Sequence, residues 1–149
     1  MVVTGVHHAL NLVEIEMLAK TNWNPVNPVG SCGNVAQAGA AMAVAVKSKS
    51  VKMKSLAYPS SVSALLGITE PAVFGVNLRL VSPFVCGCLG GGIGGWLAAI
   101  LGLKGTGMSI TGIPGMLLYL NEQFPLYILV NVVAFGAAFC IDLCFWNER

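Results

Sequence analysis

The sequence predicts an all-α integral membrane protein with transmembrane helices and at least one re-entrant helical hairpin. Only 9% of its 149 residues are charged and 56% are hydrophobic, whereas soluble domains carry roughly 25% charged residues. Residues 80–103 contain no charge, and they exceed the ~20 apolar residues that a transmembrane helix needs. A second apolar segment, 55–79, is interrupted by an acid followed by a proline, which predicts a hairpin in place of a straight span.

The N-terminal third divides into three parts. Residues 1–29 are predicted to be amphipathic or irregular, because polar and apolar residues mix there and Asn-Pro occurs twice. A membrane helix is predicted at 30–46, where alanines and glycines allow helices to approach closely. Residues 47–54 carry four lysines and are predicted to form a basic loop on the cytoplasmic side.

The re-entrant hairpin is predicted at 55–79, and its turn is expected around Glu70. Pro71 has no N–H and disfavours the helical conformation for Glu70, so a helix entering from 55 should break there and restart after Pro71. Gly67 permits backbone conformations that other residues avoid. An ionisable group between apolar segments of a membrane protein is a functional-site candidate, so we expect Glu70 to be buried and, with Thr69, to bind a ligand. The alternative is a kinked helix in which Glu70 only accepts a hydrogen bond from a water molecule or from a backbone N–H.

In the C-terminal half, the sequence predicts two membrane-spanning helices and a connection between them. The first is the membrane helix at 80–103, whose glycines predict tight contact with a partner helix. A glycine-rich connection at 104–123 is too apolar for a solvated loop and is expected to dip back into the protein. A last membrane helix is predicted at 124–146, ending at an interfacial tryptophan.

Several kinds of site are disfavoured. The net charge of +2 gives no reason to expect nucleic acid as a partner, and no cofactor is expected. The five cysteines are odd in number and lie in apolar surroundings, so neither a disulfide framework nor a zinc site is favoured. A metal site that combines His7 or His8 with Glu14 or Glu16 matches no recognised ligand spacing. Adjacent histidines point in different directions on a helix, so at most one is expected to face a ligand.

Four sequence segments carry a resemblance to a known protein family. They are Val3–His8, Gly33–Gln37, Gly67–Arg79 with its Gly-Ile-Thr-Glu-Pro motif, and Gly112–Gly115. Together they resemble the sugar-transporting membrane subunit (enzyme IIC) of the bacterial phosphoenolpyruvate-dependent phosphotransferase system, and their order and spacing agree across nearly the whole chain. The resemblance is to the glucose–glucoside superfamily of these subunits, and within that to the sucrose-specific branch. Trehalose is the nearest rival substrate, and β-glucosides belong to the same group.

The resemblance implies the C-terminal transport-domain portion of a sugar permease in the bacterial inner membrane. It implies that Glu70 and either His7 or His8 contact sugar hydroxyls, with Thr69 adjacent. Asn34 and Gln37 could offer amide hydrogen bonds to such a polyol, or could equally satisfy neighbouring backbone groups.

The partners implied by the resemblance are a disaccharide, IIA and IIB phosphocarrier domains, membrane lipid and a second copy of the subunit. The phosphocysteine of the IIB domain phosphorylates the incoming sugar in a protein-Nπ-phosphohistidine–sugar phosphotransferase. None of the five cysteines of this sequence lies in a soluble, charged segment suitable for phosphotransfer, so no catalytic residue is expected. The sequence is expected to be a C-terminal fragment of the subunit. Two alternatives are a non-catalytic membrane assembly module that uses its glycine faces, and a non-functional fragment.

Overall fold

The computed structural model describes residues 7–107, 111–119 and 123–145, which form helices joined by short connections. No strand occurs in these three ranges, and three of the helices are long and apolar enough to cross a membrane: Val26–Lys47, Ser82–Ile100 and Phe124–Phe145. The predicted all-α membrane class is therefore confirmed. The helices are α1 His7–Thr21, α2 Val26–Lys47, α3 Val51–Leu65, α4 Glu70–Ala72, a π-helix Val73–Asn77, α5 Leu78–Leu80, α6 Ser82–Ile100, a 3₁₀ helix Pro114–Tyr119 and α7 Phe124–Phe145.

Helix α2 begins at Val26, four residues earlier than the sequence predicts. Two prolines, Pro25 and Pro28, lie at its start, where a missing N–H costs nothing because the first helical N–H groups have no partner within the helix. The side chain of Asn24 supplies partners instead, since its Oδ1 accepts hydrogen bonds from the N–H groups of Val26 at 3.0 Å and Asn27 at 3.2 Å. The Asn-Pro pairs therefore mark a helix start and not an extended loop.

The basic segment 47–54 is mostly helical. Helix α2 runs to Lys47 and α3 starts at Val51, so only 48–50 connects them. The Lys47 ammonium donates a hydrogen bond of 2.6 Å to the carbonyl of Leu143, and this contact brings the C-terminal ends of α2 and α7 together. The cytoplasmic placement of this end stays a prediction.

The three long helices pack around small residues, with α6 antiparallel to both α2 and α7. A Cβ added to Gly90 would lie 2.6 Å from the Cβ of Ala138, and one added to Gly94 would lie 2.5 Å from the Cβ of Ala134. On the side of α6 that faces α2, a Cβ added to Gly91 would lie 3.0 Å from the Cα of Gly33. The predicted tight contact of the glycine face is confirmed, and its partners are helices of the same chain.

Helix α3 and residues 70–80 form an antiparallel helical hairpin, whose two arms pack against α2. Near its tip, Ala64 and Ala72 share a buried cluster with Ala38 and Ala41 of α2. Further back, a second cluster joins the two arms to the C-terminal part of α2; its buried members are Val44, Ala45, Ala57 and Val76. The tip therefore lies beside the middle of α2, and the open end lies beside the end of α2 at Lys47.

The hairpin tip, residues 66–68, contains the break in the helix. The N–H of Ile68 bonds to the carbonyl of Ser63 at 3.0 Å, and the N–H of Gly67 bonds to that of Ala64 at 3.0 Å. With Gly67 at φ +95°, this is the Schellman pattern that ends helices at glycine. The sequence placed the break at Glu70, but Glu70 begins the second arm and Pro71 lies in its first turn, where proline is tolerated.

Candidate functional site

A segment from the α6–α7 connection holds the hairpin tip. The carbonyl of Leu65 accepts a hydrogen bond from the N–H of Ile113 at 2.9 Å. Gly112 has φ +85°, and a Cβ there would lie 2.3 Å from the Leu65 carbonyl oxygen. Beside this contact, the Asn34 amide of α2 donates to the hydroxyl of Thr111. The connection thus dips into the protein, as its apolar sequence predicts, and meets the tip.

Replacing Gly112 by alanine is expected to displace the tip. The new Cβ would collide with the Leu65 carbonyl, and overpacking of this kind costs about 1–3 kcal/mol, beyond the strain of a positive φ. Thermal unfolding in detergent measures the loss. Gly102→Ala is the matched control, because Gly102 has φ +63° and open space around its Cβ position. Equal unfolding temperatures for the two variants would show that the contact with Leu65 does not matter.

Thr69 and Glu70 follow the tip directly, and the side chain of neither forms a hydrogen bond with another described residue. The Glu70 carboxylate is exposed and forms no hydrogen bond or ion pair within the described residues. Thr69 is only 5% exposed, yet its hydroxyl forms no hydrogen bond within the same residues. The expectation that Glu70 is buried is wrong for this part of the chain, because Glu70 is on the exposed side of the second arm, whereas Ala72 of the same arm packs against α2.

The two amide candidates differ from Glu70 because both already have protein partners. Asn34 bonds to Thr111. Gln37 of α2 bonds to two other elements. Its Oε1 accepts a hydrogen bond from Asn77 Nδ2 of the π-helix at 2.7 Å, and its Nε2 donates one to the Phe84 carbonyl of α6 at 3.4 Å. Asn77 Nδ2 also donates to the Gln37 carbonyl at 3.0 Å. Gln37 therefore fastens the second arm of the hairpin to α2 and α6.

This arrangement predicts a structural effect for Gln37→Leu. Loss of the amide removes a partner of buried Asn77, and an unsatisfied buried polar group costs about 1–3 kcal/mol. The unfolding temperature should fall, while the affinity of the folded protein for its ligand should stay close to that of the wild type. A variant that binds ligand weakly but unfolds at the normal temperature would instead place Gln37 in contact with the ligand.

The histidine pair lies at the start of α1, and the side chains of His7 and His8 lie outside the described residues. Glu14, on the same helix, accepts a hydrogen bond from Asn24 Nδ2 at 3.1 Å, so it joins α1 to the start of α2. Glu16 forms an ion pair of 2.6 Å with Lys20. Within the described part of the chain, no group of three or more His, Cys, Asp or Glu residues could hold a metal ion.

An apolar cavity of about 280 Å³ lies behind the tip, between α2, α7 and the 3₁₀ helix. Its walls include Leu65, Ile113, Tyr127 and Phe135, and they present only apolar surface. A hydroxyl-rich ligand would lose its hydrogen bonds to water there without replacement. The cavity is therefore not the candidate site, and the polar pair on the second arm is.

Two features inside the helices were missed by sequence reasoning. One is a buried polar network of Ser31, Tyr127 and Asn131, in which Ser31 Oγ lies 2.6 Å from Tyr127 Oη and 3.0 Å from Asn131 Oδ1. The other is Asp142, which is fully buried and whose oxygens have no hydrogen-bond partner in the described structure. Asn131 and Asp142 do stand out as polar residues in an apolar helix. Ser31 and Tyr127 carry no such signal.

Comparison with known proteins identifies a family model and a group of curated relatives. The model described as "Phosphotransferase system, EIIC" matches residues 1–91. The sucrose-specific EIIBC component of Salmonella typhimurium is 41% identical over 144 residues, which cover 95% of this chain and 32% of that protein. The sucrose-specific EIIBC component of Bacillus subtilis (strain 168) is 42% identical over 113 residues, covering 76% of this chain and 24% of that protein.

A trehalose-specific relative is less similar. The trehalose-specific EIIBC component of Escherichia coli (strain K12) is 30% identical over 134 residues, which cover 90% of this chain and 28% of that protein. The chain thus spans about a quarter to a third of the length of these curated relatives. No solved structure is significantly similar to it.

Proposed function

Because the chain belongs to the EIIC family of the phosphotransferase system, we propose that it forms the sugar-binding and translocating part of a membrane transporter for sucrose. The observation that carries the proposal is the pair of unoccupied polar groups, Thr69 and Glu70, just beyond the hairpin tip. A carboxylate can accept hydrogen bonds from two neighbouring hydroxyls of a sugar, and a threonine hydroxyl can donate or accept. His7 or His8 would complete the set, as the resemblance implies.

The charges around the site favour a neutral ligand. Arg79 is at the open end of the hairpin, because the adjacent Leu80 packs against the same buried cluster as Met53, which lies near the start of α3. Arg79 is nine positions after Glu70 along the second arm, so its guanidinium is not placed to pair with an anion at the tip. An unphosphorylated disaccharide fits this arrangement, and a phosphorylated sugar would meet the negative charge of Glu70.

The position of the tip along α2 supports a re-entrant placement. Ala64 packs beside Ala38, which is nine residues before the end of α2 and thus about 14 Å from it along the helix axis. The hydrocarbon core of a bilayer is about 30 Å thick. If the lysine-rich end is cytoplasmic in the inner membrane of a bacterium, the tip reaches roughly half-way across, and Glu70 meets a sugar near the centre of the membrane.

Phosphorylation requires a partner. We assign no catalytic residue to the chain. We propose that the cysteine of an EIIB domain receives a phosphoryl group from an EIIA domain and then transfers this group to a hydroxyl of the bound sugar. The fused names of the relatives, EIIBC and EIIBCA, support such partners. A homodimer surrounded by lipid is the expected assembly. An assembly module built on the glycine faces has less support, because Gly90 and Gly94 contact α7 of the same chain.

A ligand-protection experiment tests the proposal. The whole polypeptide that carries this chain is purified in detergent, and its unfolding temperature is measured with millimolar sucrose, trehalose or a β-glucoside. Sucrose is expected to raise the unfolding temperature most, because a ligand that binds only the folded state stabilises it. Protection by trehalose alone would reassign the substrate. Absence of protection by all three sugars would contradict the sugar-binding function.

A further inference from the structure

Both backbone polar groups of Gly112 are held by side chains from other helices. Its N–H donates to Ser31 Oγ of α2 at 3.1 Å, and its carbonyl accepts from the Tyr127 hydroxyl of α7 at 3.0 Å. The two side chains also touch each other, since Ser31 Oγ lies 2.6 Å from Tyr127 Oη. Ser31 and Tyr127 are fully buried, so water does not compete for these bonds.

The tip of the hairpin is held in turn by Gly112 and Ile113. Ile113 bonds to the Leu65 carbonyl at the end of α3, and Gly112 lies against the same oxygen. The path from the two side chains to the tip therefore runs through one short stretch of backbone. Thr69 and Glu70 follow the tip, four and five residues after Leu65.

We propose that Ser31 and Tyr127 are positioning residues for the sugar site: they fix Gly112 and Ile113, which fix the tip and so the place of Thr69 and Glu70. This role rests on the proposed function, since it assumes that Glu70 binds sugar. The two side chains do not contact the sugar themselves. They couple the two long helices, α2 and α7, to the site, so movement of α7 relative to α2 would move the tip.

A second tyrosine provides a matched control. Tyr119 stacks on Tyr127 with ring centroids 4.2 Å apart, and its hydroxyl donates to Asn27 Oδ1 at 3.1 Å. Its burial raises its pKa above the ordinary value for tyrosine, so the hydroxyl keeps its proton and can donate. Tyr119→Phe and Tyr127→Phe thus each remove a hydroxyl group from one ring of the stacked pair, but only the Tyr127 hydroxyl bonds to Gly112.

The experiment measures sucrose affinity, unfolding temperature and hydrogen exchange of the amides at 66–69 in the whole polypeptide. Tyr127→Phe is expected to weaken sucrose binding about 3- to 10-fold, the range for one lost hydrogen bond, and to speed exchange at 66–69. Tyr119→Phe should change affinity less than about 2-fold. In a Glu70→Gln background, Tyr127→Phe should add almost nothing, because residues that act through one contact are not additive.

Three results would overturn the proposal. One is a Tyr127→Phe protein with a lower unfolding temperature but normal sucrose affinity and normal exchange at 66–69. Another is an effect of Tyr127→Phe that is undiminished in the Glu70→Gln background. The third is normal sucrose affinity in Glu70→Gln itself, which would contradict the proposed function rather than the contact. If Tyr127→Phe does not fold, Ser31→Ala takes its place with the same expected results.

Discussion

Glu70→Gln is expected to lower the affinity of the transporter for sucrose by about 10- to 100-fold. A hydrogen bond to a charged group contributes roughly 1.5–3 kcal/mol, and 1.4 kcal/mol corresponds to a factor of ten. Glutamine keeps the size of the side chain but replaces one acceptor oxygen with a donor. Because Glu70 is exposed and has no partner in the described residues, the substitution should leave the unfolding temperature unchanged. Phosphoenolpyruvate-dependent uptake at several sucrose concentrations measures the change.

Glu16→Gln is the control for this loss of one negative charge. Glu16 is exposed, and its one ion pair within the described residues is with Lys20, four residues away on α1; exposed ion pairs contribute about 0–1 kcal/mol. Its uptake should match that of the wild type. Uptake by Glu70→Gln that also matches the wild type would remove Glu70 from the sugar site.

Gly90→Leu is expected to prevent α6 from packing in the bundle. Even a Cβ at this position would lie 2.6 Å from the Cβ of Ala138 and 2.7 Å from its backbone nitrogen. The nitrogen belongs to a helix and cannot move alone, so α6 and α7 must separate and lose contacts along their length. Overpacking costs about 1–3 kcal/mol where a core can adjust, and we expect more here. Size-exclusion chromatography and thermal unfolding in detergent report the outcome.

Gly92→Leu serves as the matched control, because Gly92 is two residues along the same helix and nothing lies within 4 Å of its Cβ position. Both variants lose one glycine and gain the same side chain, so their helix propensity and hydrophobicity change alike. The Gly92 variant should stay folded. If both variants unfold at the same temperature, the close approach of α6 and α7 is not what holds the bundle.

Patterns that repeat along the chain predicted the helices and their contact surfaces. Gly90 and Gly94 are four residues apart, so they fall on one helix face, and a stripe of glycine in a membrane helix has few uses other than close packing. The predicted spans at 80–103 and 124–146 agree with α6 and α7 within a few residues at each end. Such local signals are enough to identify a membrane helix.

The location of the hairpin break required more than local rules. Pro71 predicts a break before it, but a proline also suits the first turn of a new helix, and the choice depends on where the preceding helix ends. Gly67 ends that helix, because its positive φ allows the Schellman bonds. The true break is therefore a few residues earlier than predicted.

The surroundings of Glu70 could not be read from its neighbours in sequence. Apolar residues on both sides suggested burial, but only some of them, such as Ala64 and Ala72, pack against α2, while Ile68 and Glu70 are exposed. The contacts of Ser31 with Tyr127 join residues far apart in the chain, and a serine or a tyrosine in a membrane helix is common. Only the packing of α2 against α7 brings them together.

A structure of the whole polypeptide with sucrose bound would show whether Glu70 binds the sugar. Sugar density is expected beside the hairpin tip, with at least one sugar hydroxyl oxygen within hydrogen-bond distance of the Glu70 carboxylate, about 2.5–3.0 Å. Sucrose bound elsewhere, with Glu70 directed toward lipid or bulk water, would contradict this expectation.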